Sequence, residues 1–89
     1  MHIELELGQL LITPTAQSEI DPADVFEAIQ RHATGDWGEL CEEDCHENEL
    51  CARNGFRVFS AYSDRHGSKF WIITEADRST TTVLLPNDY

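Results

Sequence analysis

Positive charge is what this chain has least of. Six Lys plus Arg stand against seventeen Asp plus Glu, and Lys69 is the only lysine. A formal charge of −11 argues against phosphate backbones and anionic membranes as direct ligands and favours basic partners. Long apolar runs are missing as well: nothing approaches the ~20 residues that span a bilayer. The opening Met1-His2-Ile3-Glu4 has neither the basic start nor the apolar stretch of a secretory leader. Three cysteines with no CxxC pair make a poor disulfide framework, so a cytoplasmic protein with reduced thiols is expected. GxGxxG, P-loop and GxSxG patterns are absent, and none of His2, His32, His46 or His66 sits in a motif. No enzyme, cofactor or metal is expected.

What is present suits a small globule. Eighty-nine residues, 40% hydrophobic and 26% charged, allow a single domain over 1–89 with a modest core. Ile3, Leu5 and Leu7 alternate with Glu4 and Glu6 as in a half-buried strand, which Leu10-Leu11-Ile12 extends. Thr13-Pro14 and Asp21-Pro22 each pair a capping residue with a proline at the first helical position. They predict helices over 14–19 and 22–31, the second with Val25, Phe26 and Ile29 at helical spacing. A third helix is expected over 42–54, ended by Gly55. The last third is rich in β-formers and predicts antiparallel strands near 56–63, 69–75 and 80–85, the last stopped by Pro86. The expected fold is α+β: an antiparallel three- to four-stranded sheet with two to three helices packed on one face.

The negative charge is concentrated. Asp36, Glu39, Glu42, Glu43, Asp44, Glu47 and Glu49 lie within one segment that contains no Lys or Arg, which gives that segment −7 of the −11. On the third helix Glu42, Glu43, Glu47 and Glu49 fall to one side, and Cys41, Cys45, Asn48, Cys51 and Ala52 to the other. Carboxylates in the first turn favour the helix macrodipole. Glu47 and Glu49 have no such reason, and Glu43 and Glu47 repel at i,i+4. A functional acidic surface and a merely solvated face both fit this pattern.

Cys41, Cys45, His46 and Cys51 include zinc-ligand types. However, Cys45 and Cys51 would stand roughly 9 Å apart along a helix, with His46 turned to the acidic side, so buried thiols packing on the sheet are expected. Trp37 reads either as core or, if exposed beside the acids, as an interface anchor. Glu75, Asp77 and Arg78 read as a local ion pair in a turn.

From Gly35 onward the chain resembles a group of short, acidic bacterial proteins of plasmids, phages and other mobile elements, often labelled type I restriction subunits. The resembling stretches are Gly35-Asp36-Trp37-Gly38-Glu39, Glu42-Glu43-Asp44 with Asn48, and Trp71 through Ser79. Thr81-Thr82-Val83-Leu84-Leu85-Pro86 and Tyr89 complete them. The resemblance implies a mobile-element setting, where small acidic proteins include DNA-mimicking inhibitors of host defence such as anti-restriction and anti-CRISPR proteins. The expected function is therefore a non-enzymatic binding protein. Its partner would be a basic protein surface, the nucleic-acid-binding groove of a defence complex, and not nucleic acid or membrane. Asp36, Trp37, Glu39, Glu42, Glu43, Glu47 and Glu49 form the candidate binding set. The alternative is an accessory interaction domain that binds a protein through Trp37 or a sheet edge.

Overall fold

The computed structural model describes residues 3–89; Met1 and His2, and what the sequence suggests of them, lie outside the described residues. In chain order the elements are β1 (Gln9–Ile12), α1 (Pro14–Glu19), α2 (Pro22–Ala33), α3 (Glu42–Asn54), β2 (Val58–Ser63), β3 (Lys69–Thr74), β4 (Thr80–Leu84) and a closing 3-10 turn (Pro86–Asp88). The capping signals act as expected. Thr13 Oγ1 accepts from the Ala16 amide at 3.2 Å and Asp21 Oδ1 from the Ala23 amide at 2.9 Å, which satisfies donors that a helix start leaves open.

The four strands form one sheet in the order β1-β4-β3-β2. The meander β2-β3-β4 is antiparallel, as expected. The first strand differs in place and direction: it begins at Gln9, not Ile3, and runs parallel to β4, so the sheet is mixed. Two physical reasons account for this. Gly8 has φ 64, and a Cβ there would lie 2.3 Å from the Ser79 carbonyl oxygen. The chain therefore turns sharply at a position only glycine can occupy, and Ile3–Leu7 is diverted from the sheet. The alternation of that segment instead places Leu5 in the interior, with its amide bonded to the Ala33 carbonyl at 2.8 Å. The three helices between β1 and β2 then supply the crossover that a parallel pair requires.

Strand register puts Val58, Ser60, Tyr62, Phe70, Ile72, Thr74, Thr81 and Val83 on one face of the sheet, all buried. All three helices pack on that face. Ala16, Ile20 and Ala28 join Tyr62, Phe70, Ile72 and Val83 in one apolar cluster. Leu5, Trp37 and Val58, with Cys45, Cys51 and Ala52 packed against them, form a second. Among the described residues the opposite face, with Phe59, Trp71 and Ile73, carries no helix; Tyr89 folds toward it, edge-on to Trp71 at 5.8 Å between ring centroids, with Arg57 over its ring.

The outer edge of β2 is closed. The Glu39 amide donates to the Ala61 carbonyl at 2.7 Å and the Ala61 amide to the Trp37 carbonyl at 3.3 Å, while the Asn48 side-chain amide bonds both the amide and the carbonyl of Phe59. Gly38 makes this approach possible. Its φ is 72, and a Cβ would sit 2.0 Å from the Ala61 carbonyl oxygen. Gly55 also has positive φ but faces open space. Replacing Gly55 by Ala should cost about 1–2 kcal/mol, the left-handed backbone penalty. Gly38→Ala should cost clearly more, because it also pushes the α3 approach off β2. Urea denaturation of the two variants checks this; equal losses would show that the close approach at Gly38 contributes nothing.

Candidate functional site

The site begins with how α3 is held. Cys41 precedes the helix with an extended backbone and provides no side-chain cap. The helix start is supported instead by Glu42, Glu43 and Asp44 in the first turn, whose charge complements the exposed N–H groups. At the other end Gly55 adopts φ 76, the left-handed terminator expected from sequence. Arg78 completes the cap. Its guanidinium donates to the carbonyls of Phe56 (2.7 Å), Cys51 and Ala52 (3.2 Å each), and to the Glu75 carbonyl at 3.1 Å. This replaces the expected local ion pair: the Glu75 carboxylate meets Arg57 at 3.6 Å, and the Asp77 carboxylate accepts from the Ser79 amide at 3.0 Å. A cation at the helix C-terminus matches the dipole better than a third partner in a short turn.

With both ends fixed, the helix shows an inner side of Asn48, Cys45, Cys51 and Ala52 and an outer acidic side. The cysteines depart from expectation. Cys45 and Cys51 are half-buried, but Cys41 is exposed, because it lies outside the helical wheel on which its burial was reckoned. All three are free thiols. Burial raises the Cys45 pKa above its ordinary value, and the nearby Cys41, Asp44, Asp36 and Glu49 add to the rise, so this thiol is a poor nucleophile. Among the described residues no group of three or more His, Cys, Asp or Glu is placed to hold a metal ion.

The expected binding residues divide into three sets. Asp36 is engaged: Arg31 grips its carboxylate at 2.7 and 3.2 Å, the Gly38 amide adds a contact at 3.2 Å, and the Arg31 hydrogen bond above all holds its pKa low. Glu39 is partly engaged, accepting from Ser63 at 3.1 Å and lying 3.9 Å from Lys69. Trp37 is 3% exposed and offers no surface anchor. It packs edge-on against His32 at 5.7 Å, because the bond from Ala61 to its carbonyl fixes it at the β2 edge with its side chain inward. Glu42, Glu43 and Glu47 are exposed and Glu49 half-exposed. Glu42, Glu43 and Glu49 line an open hollow of about 550 Å³ with Cys45 and His46. Asp44 is exposed as well, but at 100° per residue it lies on the Asn48 and Cys51 side of the helix, off this patch. None of these five α3 carboxylates makes an ion pair or side-chain hydrogen bond among the described residues, whereas Arg31, Arg57, Arg65 and Lys69 are all paired to carboxylates elsewhere.

Sequence reasoning missed what lies beneath this surface. His32, read as a helix end, is fully buried. Its Nδ1 lies 2.5 Å from Ser60 Oγ and its Nε2 2.8 Å from Thr74 Oγ1. Thr74 Oγ1 reaches Thr81 Oγ1 at 2.7 Å, and Thr81 donates to the Leu7 carbonyl at 2.7 Å. One direction of donation satisfies every member: Ser60 to His32 Nδ1, Nε2–H to Thr74, Thr74 to Thr81, Thr81 to Leu7. The chain ties α2, all three strands of the meander and the N-terminal segment together. Every side chain in it is buried, so a substrate has no access and the Ser–His pair is structural. The signal in the sequence was spacing: His32 follows Val25 and Ala28 along the buried stripe of α2.

Comparison with protein-family models, with curated proteins and with solved structures finds no match.

Burial, with the Arg78 charge adding to it, pushes the His32 pKa down from 6.5 to about 4. The unfolded state thus binds the His32 proton first, and stability is full above pH 6.5 and falls as pH drops toward 4. The shift corresponds to about 3 kcal/mol. Asp36, Asp64 and Asp88, whose hydrogen bonds hold their pKa values below 3.8, lose their contribution only at lower pH, so the two windows separate. Urea midpoints should decline between pH 6.5 and 4 in the parent, and a His32→Gln variant, less stable at pH 7, should be nearly flat across that range. An equal slope in both would remove His32 as the cause.

Proposed function

We propose that this chain is a non-enzymatic binding protein whose α3 surface docks on a basic protein groove of the kind that holds nucleic acid. In this reading it acts by competition, as a nucleic-acid-mimicking inhibitor of the anti-restriction or anti-CRISPR type. The single observation that carries the reading is the unneutralised patch on α3. Glu42, Glu43, Glu47 and Glu49 occupy about 12 Å of helix at 1.5 Å per residue, roughly one charge per 3 Å. Duplex DNA carries one charge per ~1.7 Å of axis, so the helix face carries roughly half that density. Arg and Lys side chains arranged for phosphates would meet carboxylates at a wider spacing, and attraction between such patches speeds encounter and sets orientation. Glu39 and Asp36 extend the surface at its edge, although their own partners hold part of their charge.

A second reading, a protein-interaction domain of a mobile element, draws on the uncovered sheet face. There Arg57, Phe59, Trp71, Ile73 and Tyr89 surround a hollow of about 300 Å³. Such an apolar patch suits a protein or ligand contact better than a phosphate mimic does.

The two readings part on charge reversal. Host proteins retained by the immobilised chain and released by salt would be tested one by one for competition with DNA or RNA. Reversing Glu42, Glu43 and Glu47 to Lys should abolish retention by at least tenfold while the circular dichroism stays that of the parent, the two first-turn reversals costing about 1–2 kcal/mol of stability in urea denaturation. Reversing Glu4 and Glu6 should change retention little. Unchanged retention by the triple variant, or simultaneous binding of nucleic acid and this chain to the same partner, would refute the mimic.

A further inference from the structure

The two edges of the sheet are treated in opposite ways. On β2 the outward backbone groups of Phe59 and Ala61 are all bonded, by Asn48 and by the 37–39 segment. On β1 nothing equivalent occurs among the described residues. The Gln9 amide donates to the Ser79 carbonyl at 2.9 Å and the Thr13 amide to the Val83 carbonyl at 3.0 Å. Odd-numbered residues therefore face β4, and the amides and carbonyls of Leu10 and Ile12 face the open side. Leu10, Leu11 and Ile12 are 51%, 43% and 38% exposed. Proteins usually protect such an edge by keeping it short or with lysine, an inward charge, a bulge or a covering loop; β1 is short, at four residues, but among the described residues it carries none of the others. Residues 7–18 form the longest stretch of the chain without a charged side chain.

From this we infer that β1 is a docking edge for a second copy of the chain, which pairs with it antiparallel about a two-fold axis. The occupant follows from charge and symmetry. A basic peptide would gain nothing from an uncharged edge, whereas an uncharged apolar strand is complementary to itself. In the symmetric register Leu11 stands opposite Leu11 of the second copy, and Leu10 opposite Ile12. Each Leu10–Ile12 pair exchanges two backbone hydrogen bonds, so four bonds form. Leu10 and Ile12 share the helix-covered side through their register with Thr81 and Val83. There a largely apolar hollow of about 210 Å³, lined by Ile12, Gln17, Ile20, Pro22 and Val25, adjoins Ile12, the position that the incoming Leu10 would face. The overall charge of −11 does not prevent the association, because α3 packs at β2, the far end of the sheet. Across the eight-stranded sheet the two β2 strands lie seven spacings apart, roughly 34 Å at ~4.8 Å each. That is about four Debye lengths at physiological salt, so the acidic patches scarcely sense one another.

This inference does not depend on the acidic-surface reading. Sedimentation equilibrium of the intact chain, from micromolar to millimolar concentration at physiological salt, should show the mass doubling. Leu11→Lys should remain a single chain with unchanged circular dichroism, since an exposed edge lysine disrupts pairing and not the fold. A second measurement fixes the register. In a Cys41→Ser background, Leu11→Cys should form an interchain disulfide on mild oxidation, because facing residues of a non-hydrogen-bonded pair stand about 4.5 Å apart, within disulfide range. A single-chain mass throughout, a Leu11→Lys variant that dimerises like the parent, or no cross-link at Leu11→Cys would each overturn the proposal.

Discussion

The buried chain from Ser60 through His32, Thr74 and Thr81 to the Leu7 carbonyl is the constraint on which the remaining architecture depends. A core of this size can place few polar groups without cost, since an unsatisfied buried donor or acceptor loses ~1–3 kcal/mol. Four polar side chains are tolerated here because each proton has one acceptor and each acceptor one proton. The arrangement admits one tautomer of His32 and one register of the meander. A slip by one residue would turn Ser60, Thr74 and Thr81 to the other face and leave the imidazole with no partners. Apolar packing around the chain supplies stability; the chain itself supplies uniqueness of register.

The acidic surface is built outward from that frame. Backbone bonds to Ala61 set the 36–39 segment along β2, and Trp37 turns inward from it against His32. That segment and Asn48 then seat α3 on the sheet with its carboxylates outward. Arg78, itself held at φ 62, closes the helix from below. Arg31, Arg57 and Arg65 meet carboxylates on other elements, and the one arginine on α3, Arg53, stands in its last turn, beyond the carboxylates of residues 42–49. Charge segregation in the sequence becomes charge segregation in space because most of the arginines are engaged elsewhere.

Much of the fold was legible in the residues. Thr13-Pro14, Asp21-Pro22 and Gly55 carry their structural meaning locally, and the three C-terminal strands are marked by β-branched and aromatic residues between turns. What was not legible depends on contacts distant in sequence. The alternation of Ile3, Leu5 and Leu7 gave a correct inside and outside but no partner strand, and the turn at Gly8 is forced by carbonyls some seventy residues away. The parallel pairing of β1 with β4 has no local signature. The hydroxyls of Ser60, Thr74 and Thr81 gave no sign of sharing one imidazole. Within the candidate site, helical periodicity turns Glu42, Glu43 and Glu47 outward and leaves Glu49 half-exposed. Trp37 takes the core alternative, and Asp36 is exposed but held by Arg31; contacts outside the local pattern decide both.

The central claim is that the α3 carboxylates beyond the first turn serve binding at some expense to stability. Glu47 tests it without any partner. It lies beyond the first turn, where the macrodipole no longer rewards negative charge, and one helical turn from Glu43, where like charges repel. Glu47→Lys converts that repulsion into the favoured Glu-to-Lys order at i,i+4. The account predicts that urea denaturation at low salt will show a gain of about 0.5 kcal/mol or more, shrinking as salt is raised. A loss of stability on the same substitution, insensitive to salt, would mean that Glu47 is part of the framework and would contradict the claim.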